Sequence, residues 1–406
     1  MQVMTSSESS ISWKKSLYAI FAAQLLVMAG FSFVFPFMPL YIEKIGHFSS
    51  QQAAVWAGIA EGSAGVAMFF AAPFWGILAD RVGRKPMVLR AMVGGTIAIL
   101  LIGLIPNVPF LIAMRFFQGM FSGVMAAASA LVASISPRDK TPYAMGLMMT
   151  ANFVGGSVGP LLGGLSADHF GYRTTFFIAA SCLATGGVLV FILVKERFVP
   201  PAKTERASIG SMLRLAGSKQ ILTLLAIQFS LQAGPSMVAP IVPLFMEQLN
   251  PLGQAATAAG IALTIAGVAA AGSSIVAGRI AKGVPLKTIL IVSCLGTSLA
   301  YVAPIFAKSV PELTGYIALR GLVNGGILTS SYDILSMSVP QSQQGIAFGL
   351  GQSANSLGNG LGPTIGGTLG SSLGLKWVFA FTAGMYLLSA WLVFKVLPKR
   401  SPADNY

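Results

Sequence analysis

Charge is scarce in this sequence. Only 9% of its 406 residues are charged, against roughly 25% in a soluble domain, so a folded surface cannot be covered for water. Acids are the scarcest, 12 Asp and Glu against 26 Lys and Arg. The two cysteines, Cys182 and Cys294, lack metal or redox spacing and read as small buried hydrophobes; the two histidines are His47 and His169. This inventory excludes a disulfide scaffold and a Cys/His metal site. No nucleophile–base pair, phosphate loop or metal cluster is visible, so the sequence points away from an enzyme, and no cofactor or metal is expected.

What abounds is apolar length. Hydrophobic residues make up 54%, and runs of about 20 recur throughout, the signature of membrane helices. Twelve spans are predicted, at 17–40, 52–79, 87–105, 110–133, 144–166, 174–194, 220–245, 257–281, 287–306, 312–335, 345–370 and 376–395. The net charge of +14 looks like a nucleic-acid signal until it is placed. With a cytoplasmic N-terminus, the outer loops hold Lys44, Arg173, Lys308 and Lys376, and Arg115 and Arg320 fall within spans. The other 20 of the 26 basic residues lie at the inner side. This predicts a multi-pass protein of the inner (plasma) membrane with both termini cytoplasmic, in contact with the lipid bilayer and not with nucleic acid. No cleavable signal is expected, because the first span is too long and lacks a small-residue cleavage site.

The chain is written twice. "FPFMPLYIEKIG" at 35–46 aligns with "APIVPLFMEQLN" at 239–250, placing Pro36, Pro39 and Glu43 on Pro240, Pro243 and Glu247. Gln24 falls on Gln228, Arg115 on Arg320, and Asn152 on Asn355. "GGSVGPLLGG" at 155–164 returns as "GNGLGPTIGG" at 358–367. Two six-helix halves are expected, 1–194 and 220–406, joined by a basic, Pro-containing linker at 195–219. Parallel six-span repeats are the layout of carriers that hold substrate between their halves near mid-membrane.

"GILADRVGRK" at 76–85 closely matches the loop 2–3 signature of the major facilitator superfamily, "RFFQG" at 115–119 resembles its helix 4 motif, and the glycine–proline phrase resembles its antiporter-associated helix 5 motif. The resemblance covers nearly the whole chain. Within the superfamily, "FPFMPLYIEKIG" with "PFWGILADRVGRKPMVLR" looks most like the twelve-helix drug:proton antiporters, and among them the MdtG-like multidrug efflux proteins. It implies an all-α membrane protein with the major facilitator fold, twelve transmembrane helices in two pseudo-symmetric halves. It further implies a monomer that exports small hydrophobic or cationic drugs in exchange for protons; uptake or export of another metabolite is the main alternative, a non-transporting sensor the lesser one.

Site expectations follow. Gly155, Gly159 and Pro160, with Gly362 and Pro363, offer smooth, bent helix surfaces, expected as bearings at the seam between halves; simple tight packing is the plainer role. Gly76, Asp80, Gly83 and Arg84, with Arg81 and Lys85, form the expected latch. Asp80 is placed to cap a helix N-terminus, by resemblance that of span 11, and Lys282 replaces it in the second half. Arg115 carries proton coupling by resemblance; bonding only Gln118 and carbonyls is its plainer role. The acids within spans are Glu61, about 13 Å from its outer end, and Asp333, near its inner end; Glu61 is the better proton carrier. Gln24, Gln228, Gln232, Asn152, Asn324, Asn355 and Ser353, with Phe31, Phe35, Phe117 and Tyr332, are candidate liners of a substrate cavity suited to lipophilic, often cationic molecules.

Overall fold

The computed structural model describes residues 6–137, 139–196, 217–251, 253–280, 283–339 and 344–397. Among these, all regular structure is helical. Twelve helical spans run back and forth, so all odd spans start at one end of the molecule, here the terminal end, and finish at the other, the far end. Span 1 comprises Ser6–Phe33 and Met38–Gly46, span 2 Ser50–Val82, span 3 Arg84–Leu104, span 4 Val108–Met120 and Val124–Ile135, span 5 Thr141–Phe170 and span 6 Tyr172–Leu193. Span 7 comprises Lys219–Val238 and Ile241–Leu249, span 8 is Ala255–Ile280, span 9 Leu286–Val302, span 10 Val310–Met337, span 11 Gln344–Leu373 and span 12 Leu375–Val396. Ten are long and apolar enough to cross a membrane among the described residues. The other two, spans 10 and 11, are 28 and 30 residues long and carry the polar and glycine-rich runs.

Local chemistry sets the boundaries. Ser49 and Gln52 form a reciprocal capping box that starts span 2, and Asn107, Ser218 and Ser309 cap spans 4, 7 and 10 through their side chains, each satisfying an amide the helix leaves free. Spans 1 and 7 break where Pro36 and Pro240 remove a donor and crowd the preceding turn. Span 4, expected to be continuous, breaks at Phe121–Gly123, where Gly123 takes φ 104°. Its repeat partner, span 10, stays one helix. The freed carbonyls of span 4 have partners: Trp75 Nε1 donates to Met120 O at 2.6 Å, and Arg90 Nη2 donates to Ser122 O at 2.9 Å. The Arg90 guanidinium also lies 3.9 Å from the Trp75 ring centroid. The break of span 4 thus comes with an intramembrane arginine that satisfies it, as the cost of orphaned carbonyls in lipid requires.

Spans 1–6 and 7–12 make two bundles with matching contacts: 1 packs on 5 as 7 does on 11, 3 on 6 as 9 on 12, and 2 on 4 as 8 on 10. Large apolar side chains such as Val188, Phe191 and Ile192 of span 6 and Leu387, Leu388 and Phe394 of span 12 stay exposed, as lipid contact demands. Each bundle is tied by one lysine. Lys85 Nζ donates to Phe191 O at 2.9 Å and Val194 O at 2.7 Å, where span 6 ends. Lys287 Nζ does the same at the end of span 12, to Phe394 O at 2.9 Å and to Leu397 O. These cations satisfy the last carbonyls of a helix and its negative end. Lys85, expected in the latch, therefore serves within its own half. The linker expected at 195–219 lies mostly outside the described residues.

Candidate functional site

The bundles meet along two seams, span 5 with span 8 and span 2 with span 11. Glycines decide both. A Cβ on Gly260 would strike the Pro160 carbonyl, and one on Gly58 would strike the Pro363 carbonyl. Gly164 abuts the Ala256 carbonyl and Gly367 that of Ala54. All these contacts lie in the far-end half of the molecule. Toward the terminal end, Gly146 of span 5, on the helix face that carries Ser157 and Pro160, meets nothing within 4 Å, and the hydrogen bonds between halves all lie in the far-end half among the described residues. The halves thus touch at the far end and part toward the terminal end.

This corrects one expectation. Gly155, Gly159 and Gly362 do not face the other half. Gly155 lies against Leu25 and Met28, Gly159 against Ala29 and Ser32, and Gly362 against Ala233 and Ser236. They pack span 5 onto span 1 and span 11 onto span 7, within each half. Pro160 and Pro363 do lie on the seam, through their carbonyls. Residues one apart on a helix point about 100° apart, so a single phrase serves two neighbours.

A cavity of about 290 Å³ lies where the seams meet, bordered by spans 1, 2, 5, 7, 8, 10 and 11. Glu61, Phe35 and Gln232 line it, and so do Ser32, Ser236, Asn359 and Arg320. Glu61 lies eleven residues into span 2, about 16 Å from the far end. Its carboxylate is in direct contact with Arg115 Nη2, the two side chains being 16% and 9% exposed. Arg115 Nη1 also donates to Gln118 Oε1 at 2.7 Å. Spans 2 and 4 therefore bring acid and arginine together, a pairing that offsets the cost of each charge in the membrane, about 2.5–3.5 kcal/mol on insertion scales. In the same cavity, Gln232 Nε2 and Ser236 Oγ donate to Asn359 Oδ1 at 3.4 and 3.0 Å.

Other candidates lie elsewhere. Gln24 Nε2 donates to Asn152 Oδ1 at 2.7 Å, joining spans 1 and 5, and Gln228 Nε2 donates to Ser331 Oγ at 3.3 Å, joining spans 7 and 10. Both glutamines are fully buried, and neither pair lines the cavity. Phe31 packs against Gly95 of span 3 rather than the cavity, and Phe117 stacks at a tilt on Phe121. Asn324 and Asn355 are half-buried and away from the cavity, and Asp333 is exposed toward the terminal end of span 10. The surroundings of Gly76, Asp80 and Tyr332, and Lys282 altogether, lie outside the described residues.

The described part of the latch region is the turn between spans 2 and 3. Gly83 joins spans 2 and 3 at φ 97° and ψ 171°, open to glycine almost alone. The Arg84 and Lys85 amides donate to Glu196, at 2.8 Å for each nearest oxygen, so Glu196 caps span 3. Arg84 Nη1 also reaches Ala130 O at 3.5 Å. A second carboxylate missed from sequence is Asp168. It accepts the Thr257 amide at 2.7 Å, tying the far end of span 5 to the start of span 8 in the other half. It lay just beyond the predicted edge of span 5; the signal was a carboxylate beside a helix-opening segment.

A profile of the Major Facilitator Superfamily matches residues 20–250 and 224–405. Two relatives, both called multidrug resistance protein MdtG, are 32% identical to the chain. That of Klebsiella pneumoniae (strain 342) aligns over 402 residues, 98% of this chain and 97% of its own length. That of Salmonella arizonae aligns over 404 residues, 99% and 100% respectively. Among solved structures, the nucleoside transporter NupG has a TM-score of 0.79 at 13% identity, covering 95% of this chain and 99% of its own. A bacterial homologue of the human lysosomal transporter Spinster, inward-facing and occupied, has a TM-score of 0.77 at 15% identity, covering 93% and 95%. At such identities the likeness is one of fold.

Proposed function

The chain belongs to the Major Facilitator Superfamily, and we propose that within it this transporter exports small hydrophobic drugs in exchange for protons by alternating access. As a superfamily member it is a multi-pass membrane carrier of small molecules, not an enzyme. The observation that carries the finer reading is the Glu61–Arg115 ion pair in the wall of a cavity shared by both halves. Such a carboxylate has two states, paired and protonated, and the change alters the wall that substrate touches. The MdtG names of the relatives support drug efflux as the task. We take the terminal end, where the basic residues gather, to be cytoplasmic; in that reading the described conformation is open inward and a monomer carries out the cycle. In this reading residues 1–194 and 220–406 are the moving bodies, and Asp80 serves a latch in the outward-open state.

The sequence favoured cationic drugs because Glu61 was a lone acid in its stretch of membrane. With Arg115 against it, Glu61 accepts a cation only by leaving its partner. A second reading is favoured by Arg320: protonation of Glu61 leaves two arginines without an acid at the cavity, which draws an anion in with the proton, as in cotransport. Everted vesicles test the first reading. Hoechst 33342 is expected to accumulate in them under a proton gradient and to be released when the gradient is collapsed. Glu61→Gln, held in the protonated shape, is expected to lose at least about tenfold of this flux, a transition-state difference of about 1.4 kcal/mol. Flux indifferent to the gradient, or intact in Glu61→Gln, defeats it.

A further inference from the structure

Spans 4 and 10 each carry one arginine, at registers about one turn apart: Gly119 meets Ala64 as Gly321 meets Ala266, so Gln118 is the counterpart of Arg320 and Ile317 that of Arg115, which corrects the expected pairing of the two arginines. Arg115 has Glu61 against it. The contacts of Gly58 on Pro363 and Gly260 on Pro160 are equivalent, which makes Leu263 the counterpart of Glu61. Leu263 lines the same cavity. Arg320 therefore belongs to a half in which the position of Glu61 carries an alkyl side chain.

What Arg320 has instead is neutral. Its Nη1 donates to Tyr301 Oη at 3.1 Å, and its guanidinium lies 5.6 Å from that ring centroid. Tyr301 in turn stacks on Tyr386, with centroids 5.6 Å apart. Its Nε is buried without an acceptor, and among the described residues no carboxylate stands within ion-pair distance. One phenol satisfies one of five donors. An intramembrane guanidinium normally finds an anion, and this one opens onto the central cavity.

We propose that Arg320 is the docking point for an anionic head group, a carboxylate, on an amphipathic substrate whose apolar body lies along Phe35, Pro39, Pro235 and Leu263. The planar fork of arginine matches a carboxylate with two parallel hydrogen bonds. Glu61 against Arg115 shows, within the same molecule, a carboxylate serving an intramembrane guanidinium. The charge balance agrees. Glu61 cancels Arg115, and the remaining charge of the cavity wall is that of Arg320, which repels a cation and attracts an anion. This inference rests on the reading that the cavity is the substrate site, and it holds for exchange and cotransport alike, because both load the same cavity.

Three probes share one fluorophore: dansylglycine bears a carboxylate, dansylglycinamide a neutral amide, and monodansyl-ethylenediamine an ammonium. Binding is read from dansyl fluorescence with the full-length protein in lipid nanodiscs and no pH gradient, so it does not depend on proton coupling. The carboxylate is expected to bind at least about tenfold more tightly than the amide, and the ammonium most weakly. Arg320→Gln is expected to bring acid and amide to equal affinity, whereas Arg320→Lys keeps part of the preference. Should Arg320→Gln fail to fold, the wild-type ranking and Arg320→Lys decide. Equal binding of acid and amide by the wild-type protein, preference for the ammonium, or no binding of any probe overturns the proposal. Gradient-driven flux of Hoechst 33342 persisting in that event leaves drug export standing and removes only the anion site.

Discussion

The two seams that close the far end are built alike and fastened differently. Both set a glycine on a proline carbonyl, Gly260 on Pro160 and Gly58 on Pro363. Both add a threonine bond to a backbone carbonyl, Thr264 to Ser157 O at 2.6 Å and Thr364 to Gly58 O at 3.1 Å. Among the described residues only the seam of spans 5 and 8 has a charge, Asp168 on the Thr257 amide at 2.7 Å. The reason is local. Span 8 begins at Ala255, so Thr257 lies in a first turn whose amides have no intrahelical partner. Span 2 begins three residues earlier in the equivalent register, at Ser50, and Val55, the counterpart of Thr257, is already inside the helix. One seam has a carboxylate fastener at its far end that the other lacks among the described residues, although the repeat supplies both with the same steric pattern.

The largest effect should come from filling the contacts both seams share. Gly58→Leu and Gly260→Leu are each expected to abolish transport while the detergent-solubilised protein melts near the wild-type temperature, because the clash is between halves and is relieved by keeping them apart. Gly159→Leu, which overfills packing within one half, is expected to lower the melting temperature instead, at a cost of about 1–3 kcal/mol. If Gly58→Leu melts early and Gly159→Leu does not, the assignment of the two helix faces is wrong.

A middle effect should separate the seams. Asp168→Asn keeps the shape and removes the charge, weakening a hydrogen bond of the charged kind, about 1.5–3 kcal/mol. Spin labels across the far end of spans 5 and 8 should report a larger open fraction by pulsed distance measurement. Ser371→Asp, the matching addition on span 11, is expected to change nothing, since it meets no free amide. A tightened far end in Ser371→Asp would break the comparison.

The smallest effect is expected from the hydroxyls. Thr264→Val and Thr364→Val each delete one neutral bond of about 0.5–1.5 kcal/mol, and transport rates should fall by no more than about tenfold in either seam. A drop as deep as that of Gly58→Leu would make the hydroxyl, rather than the close approach, the decisive contact.

Much of the fold was legible in the sequence. The repeat and the span count follow from apolar length, whereas the breaks at Pro36 and Pro240 fall inside the single spans expected at 17–40 and 220–245. Glu61 and Arg115 were legible as costly charges in lipid, but their union was not, because nothing in either helix says which neighbour it meets. The glycine phrase misled for a geometric reason. Gly159 and Pro160 are adjacent in sequence yet face different helices, and assigning faces requires the docked bundle. Asp168, Glu196 and Arg90 were missed because each satisfies backbone groups of a distant helix, and backbone groups leave no signature in sequence. Span 4 hid its break for want of proline; Gly119 and Gly123 around Phe121 were the available clue.

The lysine at the start of each third span has a consequence for biogenesis. Lys85 and Lys287 fasten the exit of spans 6 and 12 to their own bundles, so neither bundle borrows from its sibling to finish its last helix. A nascent chain can therefore complete its first bundle while the second is still in the ribosome, and the order of synthesis can be the order of assembly.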